Sequence, residues 1–141
     1  MTEQDILNMR DSAETGKVQF KERMLNNKSE IAEEMVAFSN SRGGTLVIGI
    51  NDKSGNINAL SFKETQDTTN MLSNIASENV VPPILIETES VAVQGGNVVV
   101  VSIKEGINKP YHDNKGVVWV KNGADKRKVF DNAELAEMMT E

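Results

Sequence analysis

Three groups of side chains in this 141-residue sequence have types and spacing that could do chemistry. The first is acidic. Glu14 precedes a segment of alternating polarity and Asp52 follows an apolar one, and carboxylates at strand ends can converge on Mg²⁺ or Mn²⁺ and activate a water against a phosphodiester. Asp52, within Asn51-Asp52-Lys53-Ser54-Gly55-Asn56, equally suits a turn former. The second group is basic. Lys121, Lys126, Arg127 and Lys128 stand against one acid, Asp125, while Lys17, Lys21 and Arg23 surround the alternating segment and Lys28 and Arg42 flank the helix after it. Gathered on one side of a sheet, these cations would contact phosphates by local charge; spread along strand edges, they would only keep the sheet from pairing with another. The third is Gly43-Gly44-Thr45. A phosphate loop runs strand, glycines, helix, with a Lys-Ser/Thr pair opening the helix. Here a helix precedes the glycines and a strand follows, so the pair reads as a helix stop shaping a corner.

These groups need elements to position them. Ile6–Ala13 reads as a short helix. Val18–Met24 alternates, with Val18, Phe20 and Met24 on one face and Gln19, Lys21 and Arg23 on a polar outer one. Asn27 and Glu30 suggest a capping pair for a helix whose stripe is Ile31, Met35 and Phe38. Thr45–Ile50 is apolar on both faces, hence central in its sheet. A short strand near Ile57–Leu60 follows. Ser61 and Glu64 open a second helix carrying Met71, Leu72, Ile75 and Ala76, which Pro82-Pro83 ends. Ile84–Val93 and Asn97–Lys104 flank Gln94-Gly95-Gly96 as a hairpin. A loop over Lys109–Gly116 leads to a strand at Val117–Lys121, and Asn122-Gly123 turns into Lys126–Phe130. Asp131 with Glu134 caps a last helix. The expected fold is α+β: a mixed, mostly antiparallel sheet of about six strands with three to four helices, as one domain over 1–141. Leu46, Ile48, Val99, Val101 and Trp119 join Ile31, Met35 and Phe38 as expected core.

Composition excludes several classes. With no cysteine there is no disulfide framework, thiol chemistry or Cys-ligated zinc site. The single histidine, His112, would have to serve any Ser–His triad and has no partner pattern around it. No apolar run is long enough to span a membrane, and the start lacks a signal pattern, so a cytoplasmic protein without a membrane partner is expected.

The ordered segments "ETGKVQFKE" (Glu14–Glu22), "EIAEEMVAFSNSRGGTLVIGINDKSGNI" (Glu30–Ile57), the double proline, "KPYHDNKGVVWVKNGADKRK" (Lys109–Lys128) and "FDNAELAEM" resemble the Schlafen-type Alba-like domain. That domain is described as DNA-binding and was earlier described as a divergent ATPase, a label the missing phosphate loop sets aside. The resemblance implies the N-terminal part of a prokaryotic transcriptional regulator. In animal relatives three acids form a metal-dependent ribonuclease site; the first matches Glu14 and the third Asp52, but the second falls on Gln19. An amide cannot supply the charge of a metal-bound carboxylate. The family's arginine in its Arg-x-Gly strand end is Lys121 here, which keeps charge without a bidentate fork.

The resulting expectation is a non-enzymatic domain that binds nucleic acid, DNA before RNA, through Lys21, Arg23, Lys121, Lys126, Arg127 and Lys128, with Gly43 and Gly44 as structural residues and no cofactor. The alternatives are a Mg²⁺- or Mn²⁺-dependent nuclease using Glu14, Gln19 and Asp52, and an interaction module; a homodimer is expected. The net charge of −6 argues against bulk attraction to nucleic acid. Its distribution softens that argument, because residues 61–100 hold one basic and five acidic groups.

Overall fold

The computed structural model describes residues 1–12 and 16–140. Along the chain run α1 (Glu3–Asp11), β1 (Val18–Lys21), α2 (Lys28–Asn40), β2 (Gly44–Ile48), α3 (Phe62–Glu78) and β3 (Val80–Val81). There follow β4 (Ile86–Val93), β5 (Gly96–Ile103), β6 (His112–Asp113), β7 (Trp119–Asn122), β8 (Asp125–Lys128) and α4 (Asn132–Thr140). The architecture is α+β. One mixed sheet has the order β1-β2-β5-β4, and the remaining strands form two ribbons, β3–β6 and β7–β8, rather than extending it. Only β1 and β2 pair in parallel, because α2 carries the chain back across the sheet between them.

The central strands β2 and β5 are apolar on both faces, and both faces are covered. Leu46, Ile48, Val99 and Val101 pack beneath Ile31, Met35 and Phe38 of α2 and Leu72 and Ile75 of α3. Val47, Val98 and Val100 pack on the other side with Phe20 and Ile6 of α1. Trp119 lies half-buried at the margin of the first layer instead of inside it.

Local signals explain most boundaries. Ser61 and Glu64 make both halves of a capping box at α3. Asn27 precedes α2 without capping it: its side chain donates to Arg23 O at 2.8 Å, and Glu30 turns to Lys21 instead. At the corner after α2, Gly43 adopts φ +72° and donates to Phe38 O at 2.9 Å. A Cβ on Gly44 would lie 2.3 Å from the Phe38 ring, so this second glycine is required by space.

Strand β1 ends at Lys21, short of Met24, which joins the α2–α3 layer rather than the face of Phe20. The polar parity expected to face solvent is covered as well. Gln19 and Lys21 are 6% and 8% exposed, on the α2 side of the sheet edge. Among the described residues no helix is long and apolar enough to cross a membrane.

Candidate functional site

At the β1 edge of the sheet a polar cleft has three walls, the first made by β1 with the turn after β2, the second by α2. β1 contributes Gln19 and Lys21, and the turn after β2 contributes Asp52. Glu30 and Glu34, four residues apart on α2, project from one helix face. The third wall is the β7–β8 ribbon, whose register sets Trp119 opposite Lys128 and Lys121 opposite Lys126. Strand alternation puts these four side chains on one face, and Val120 on the other packs against Val129, Leu135 and Met138. The apolar contact with α4 therefore turns the cationic face toward α2.

Within the cleft each lysine meets a carboxylate. Lys21 pairs with Glu30. Lys126 Nζ lies 3.1 Å from Glu34 Oε1 and 3.6 Å from Glu33, and Lys121 Nζ lies 3.5 Å from Glu34 Oε2 while donating to Ala124 O at 3.1 Å. The hydrogen bond from Lys21 holds the Glu30 carboxyl below its usual range. Burial pushes the Lys126 ammonium down, but Glu34, with Glu30 and Glu33, outweighs it and holds the group above its ordinary value.

The other expected phosphate contacts are not tied to the carboxylates of α2. Arg23 clamps a turn, donating to Glu64 at 3.1 Å and to the carbonyls of Glu22, Asn58 and Ala59. Arg127 forms a bidentate pair with Glu134, at 3.0 and 2.6 Å, on the α4 side of the ribbon. Lys128 is exposed, with Nζ 5.5 Å from the Trp119 ring centroid and no carboxylate partner among the described residues.

Gln19 and Asp52 line the same cleft, whereas Glu14 lies outside the described residues. Gln19 Nε2 donates to Ala124 O at 2.5 Å and so ties the ribbon's turn to β1. The described donors of the cleft are already engaged. Glu30 and Glu34 are neutralised by lysines, Gln19 spends its amide on the turn, and among the described residues no three acidic or histidine side chains form a metal-sized group.

Sequence reasoning passed over the residues that organise this region. Glu30 entered only as a capping partner and Glu33 and Glu34 not at all, yet the three carried a usable signal, being acids at i, i+3 and i+4 in the otherwise apolar stretch 30–38. Asp113 is another. Its Oδ1 accepts from the backbones of Lys115 and Val117 at 2.9 and 3.0 Å, and its Oδ2 accepts from Trp119 Nε1 at 3.0 Å. Burial pushes this carboxyl up, but donation from Trp119, Val117 and Lys115 outweighs it and leaves the group below its ordinary 3.8. Its contribution to stability is therefore complete above about that value and lost as pH falls through the lower folded one. Asp113→Asn would set an amide against the indole N–H and is expected to cost about 1–3 kcal/mol at neutral pH. Acid titration of Trp119 fluorescence checks both, since this is the chain's one tryptophan.

Fold and site together define an α+β domain with a β-α-β crossover and a ribbon-capped polar cleft at its sheet edge. The Schlafen, AlbA_2 family model matches residues 14–130, and the chain belongs to that family. It is similar to the DIP2311 protein from Corynebacterium diphtheriae at 21% identity and a TM-score of 0.63, covering 86% of this chain and 23% of that one. The chain thus spans about a quarter of that protein's length. It is also similar, at 18% identity and a TM-score of 0.65, to the N-terminal domain of a protein from Nitrosomonas europaea named as related to the ATP-dependent DNA helicase RecG. That match covers 94% of this chain and 96% of the other. At these identities the likeness is one of fold. The comparison with curated proteins finds no match.

Proposed function

We propose that this domain binds nucleic acid through its β7–β8 ribbon without cleaving it, that duplex DNA is preferred to RNA, and that the setting is transcriptional regulation. The observation that carries the reading is the ribbon face. The ammonium groups of Lys126 and Lys128 lie 5.7 and 5.5 Å from the Trp119 ring centroid, and Lys128 is open to solvent. A half-exposed aromatic edged by cations suits a phosphate backbone with an adjacent base or sugar. Membership of a nucleic-acid-related family and the name of the Nitrosomonas relative support it. The ion pairs of the cleft serve as anchors, holding the ribbon on α2.

Few cations are open, so binding is weak and salt-sensitive. Reversing Lys126 would set a carboxylate against Glu33 and Glu34 and confound folding with binding; Lys128 avoids this. In a salt-series shift assay with duplex DNA and RNA side by side, Lys128→Ala is expected to flatten the log–log salt slope for DNA by about 0.9, the contribution of one phosphate contact. An unchanged slope would remove the ribbon from the interface. Equal retention of RNA would remove the preference for DNA.

A further inference from the structure

A second cationic surface lies outside the cleft, at the end of the sheet where β1 and β2 begin and β5 ends. The register explains its assembly. Val18 pairs with Thr45 and Gly44 with Ile103, so three segments remote in sequence, around residues 17, 42 and 104, end side by side. Their backbones are in close contact. Thr45 N donates to Lys17 O at 2.7 Å, Lys17 Nζ donates to Arg42 O at 2.9 Å, and a Cβ on Gly43 would come within 2.6 Å of Ile103 O and 2.8 Å of Glu105 N.

Among the described residues, the cations Lys17, Arg42, Lys104 and Lys109 and the acid Glu105 lie in these three segments and the loop that follows β5. Lys109 Nζ pairs with Glu105 at 2.8 Å. The Glu105 carboxyl is held below its usual range first by that bond, then by the more distant charges of Arg42 and Lys17. Glu87, opposite Ser102 on β4, marks the margin of the patch. The contrast with the cleft is chemical. There Lys21, Lys121 and Lys126 are each neutralised by a carboxylate. Here the Arg42 guanidinium and the Lys104 ammonium are exposed and make no hydrogen bond or ion pair with any described residue. Such groups can take a phosphate without first giving up a partner, and arginine can take it with two parallel bonds.

We infer that the corner bearing Arg42 and Lys104 is a second phosphate-contact surface, which engages the backbone of a nucleic acid and adds affinity that the ribbon alone does not supply. The inference rests on the nucleic-acid reading above. Two surfaces of few contacts each would also reconcile binding with a net charge of −6, because the field near the corner, not the total charge, governs attraction within a Debye length.

The test compares the wild type, Arg42→Ala/Lys104→Ala and Lys128→Ala by fluorescence anisotropy with a labelled DNA duplex across a salt series. Neither corner side chain has a partner to lose among the described residues, so the double variant should unfold at the wild-type temperature. Its log–log salt slope is expected to fall by about 1.8, twice the value for a single contact. If the wild type binds and the double variant keeps the wild-type slope, the corner is not an interface, and the ribbon reading stands or falls on Lys128→Ala alone. If the wild type retains neither DNA nor RNA, both readings fail. Retention on phosphatidylserine vesicles in place of nucleic acid, lost in the double variant, would assign the corner to a membrane surface and overturn the inference.

Discussion

Replacing Glu34 with alanine is expected to destabilise the domain by about 3 kcal/mol, the low end of the cost of breaking a buried ion pair, because the cleft opens to solvent. The residue is 4% exposed and its carboxylate stands between two ammonium groups, with Lys126 on Oε1 and Lys121 on Oε2. Lys121 is hemmed in further, its side chain 6% exposed and its Nζ 5.0 Å from the Phe38 ring centroid. Without Glu34, Lys121 retains one carbonyl acceptor and Lys126 one distant carboxylate, Glu33. Urea unfolding at neutral pH measures the loss, and Glu34→Gln should lie between, since an amide oxygen accepts a hydrogen bond but carries no charge. A pH series adds an independent readout. Lys126 titrates above the ordinary lysine value of 10.5, so its contribution is complete below that value and lost as pH rises through the folded one. Glu34→Ala should flatten this alkaline loss. An alanine variant as stable as the wild type would mean that the lysines find solvent, and the ribbon would then not depend on the cleft for its position.

The same carboxylate shows where sequence reasoning reached its limit. Alternation in β1 correctly separated Phe20 from Gln19 and Lys21, because a side-chain period of two is a local property. It could not say what covers the polar face. That depended on α2, whose three acids lie 9 to 15 residues further on, and on a ribbon a hundred residues away. Lysines that read as a solvated or phosphate-contacting face are the inner half of an ion-pair network. The glycine corner, by contrast, was legible, since Gly43 and Gly44 ended a helix and began a strand within two positions. The capping box of α3 was legible for the same reason. The box at Asn27 failed because its two members found longer-range partners in Arg23 O and Lys21.

Gln19 illustrates a further gap. Comparison with the acid expected at that position marks the glutamine as a loss. The structure gives it a task a carboxylate could not perform, since Nε2 donates to Ala124 O and a second oxygen there would face a carbonyl. The corner of Arg42 and Lys104 lay deeper still. Its members are single cations in three segments, and only the parallel pairing of β1 with β2 and the antiparallel pairing of β2 with β5 bring them together.

Asn40 is the residue whose loss is expected to separate the ribbon from the sheet. It ends α2 and is 6% exposed. Its amide makes three hydrogen bonds: Nδ2 donates to Tyr111 O at 2.9 Å and to Trp119 O at 2.8 Å, and Oδ1 accepts from Tyr111 N at 2.7 Å. One side chain thus fixes the loop before β6 and the first residue of β7. Asn40→Ala would leave three backbone groups unpaired, at about 1–3 kcal/mol for each that water does not reach, and a total near 4 kcal/mol is expected. Asn40→Asp separates shape from hydrogen bonding. It keeps the size and the acceptor for Tyr111 N, but sets an oxygen against two carbonyls and adds a charge that no described cation is bonded to. It should therefore be at least as damaging as alanine, whereas a role in packing alone would leave it close to the wild type. Trp119 reports the outcome directly. Its indole is held by Asp113 and its backbone by Asn40, so both variants should red-shift its emission and speed amide exchange at Tyr111, before the global transition in urea. The two contacts divide the labour of presenting the ribbon, with Asn40 anchoring the β7 backbone and Glu34 neutralising the lysines across it. A variant of either that still bound DNA with the wild-type salt slope would show that the ribbon reaches nucleic acid without being docked.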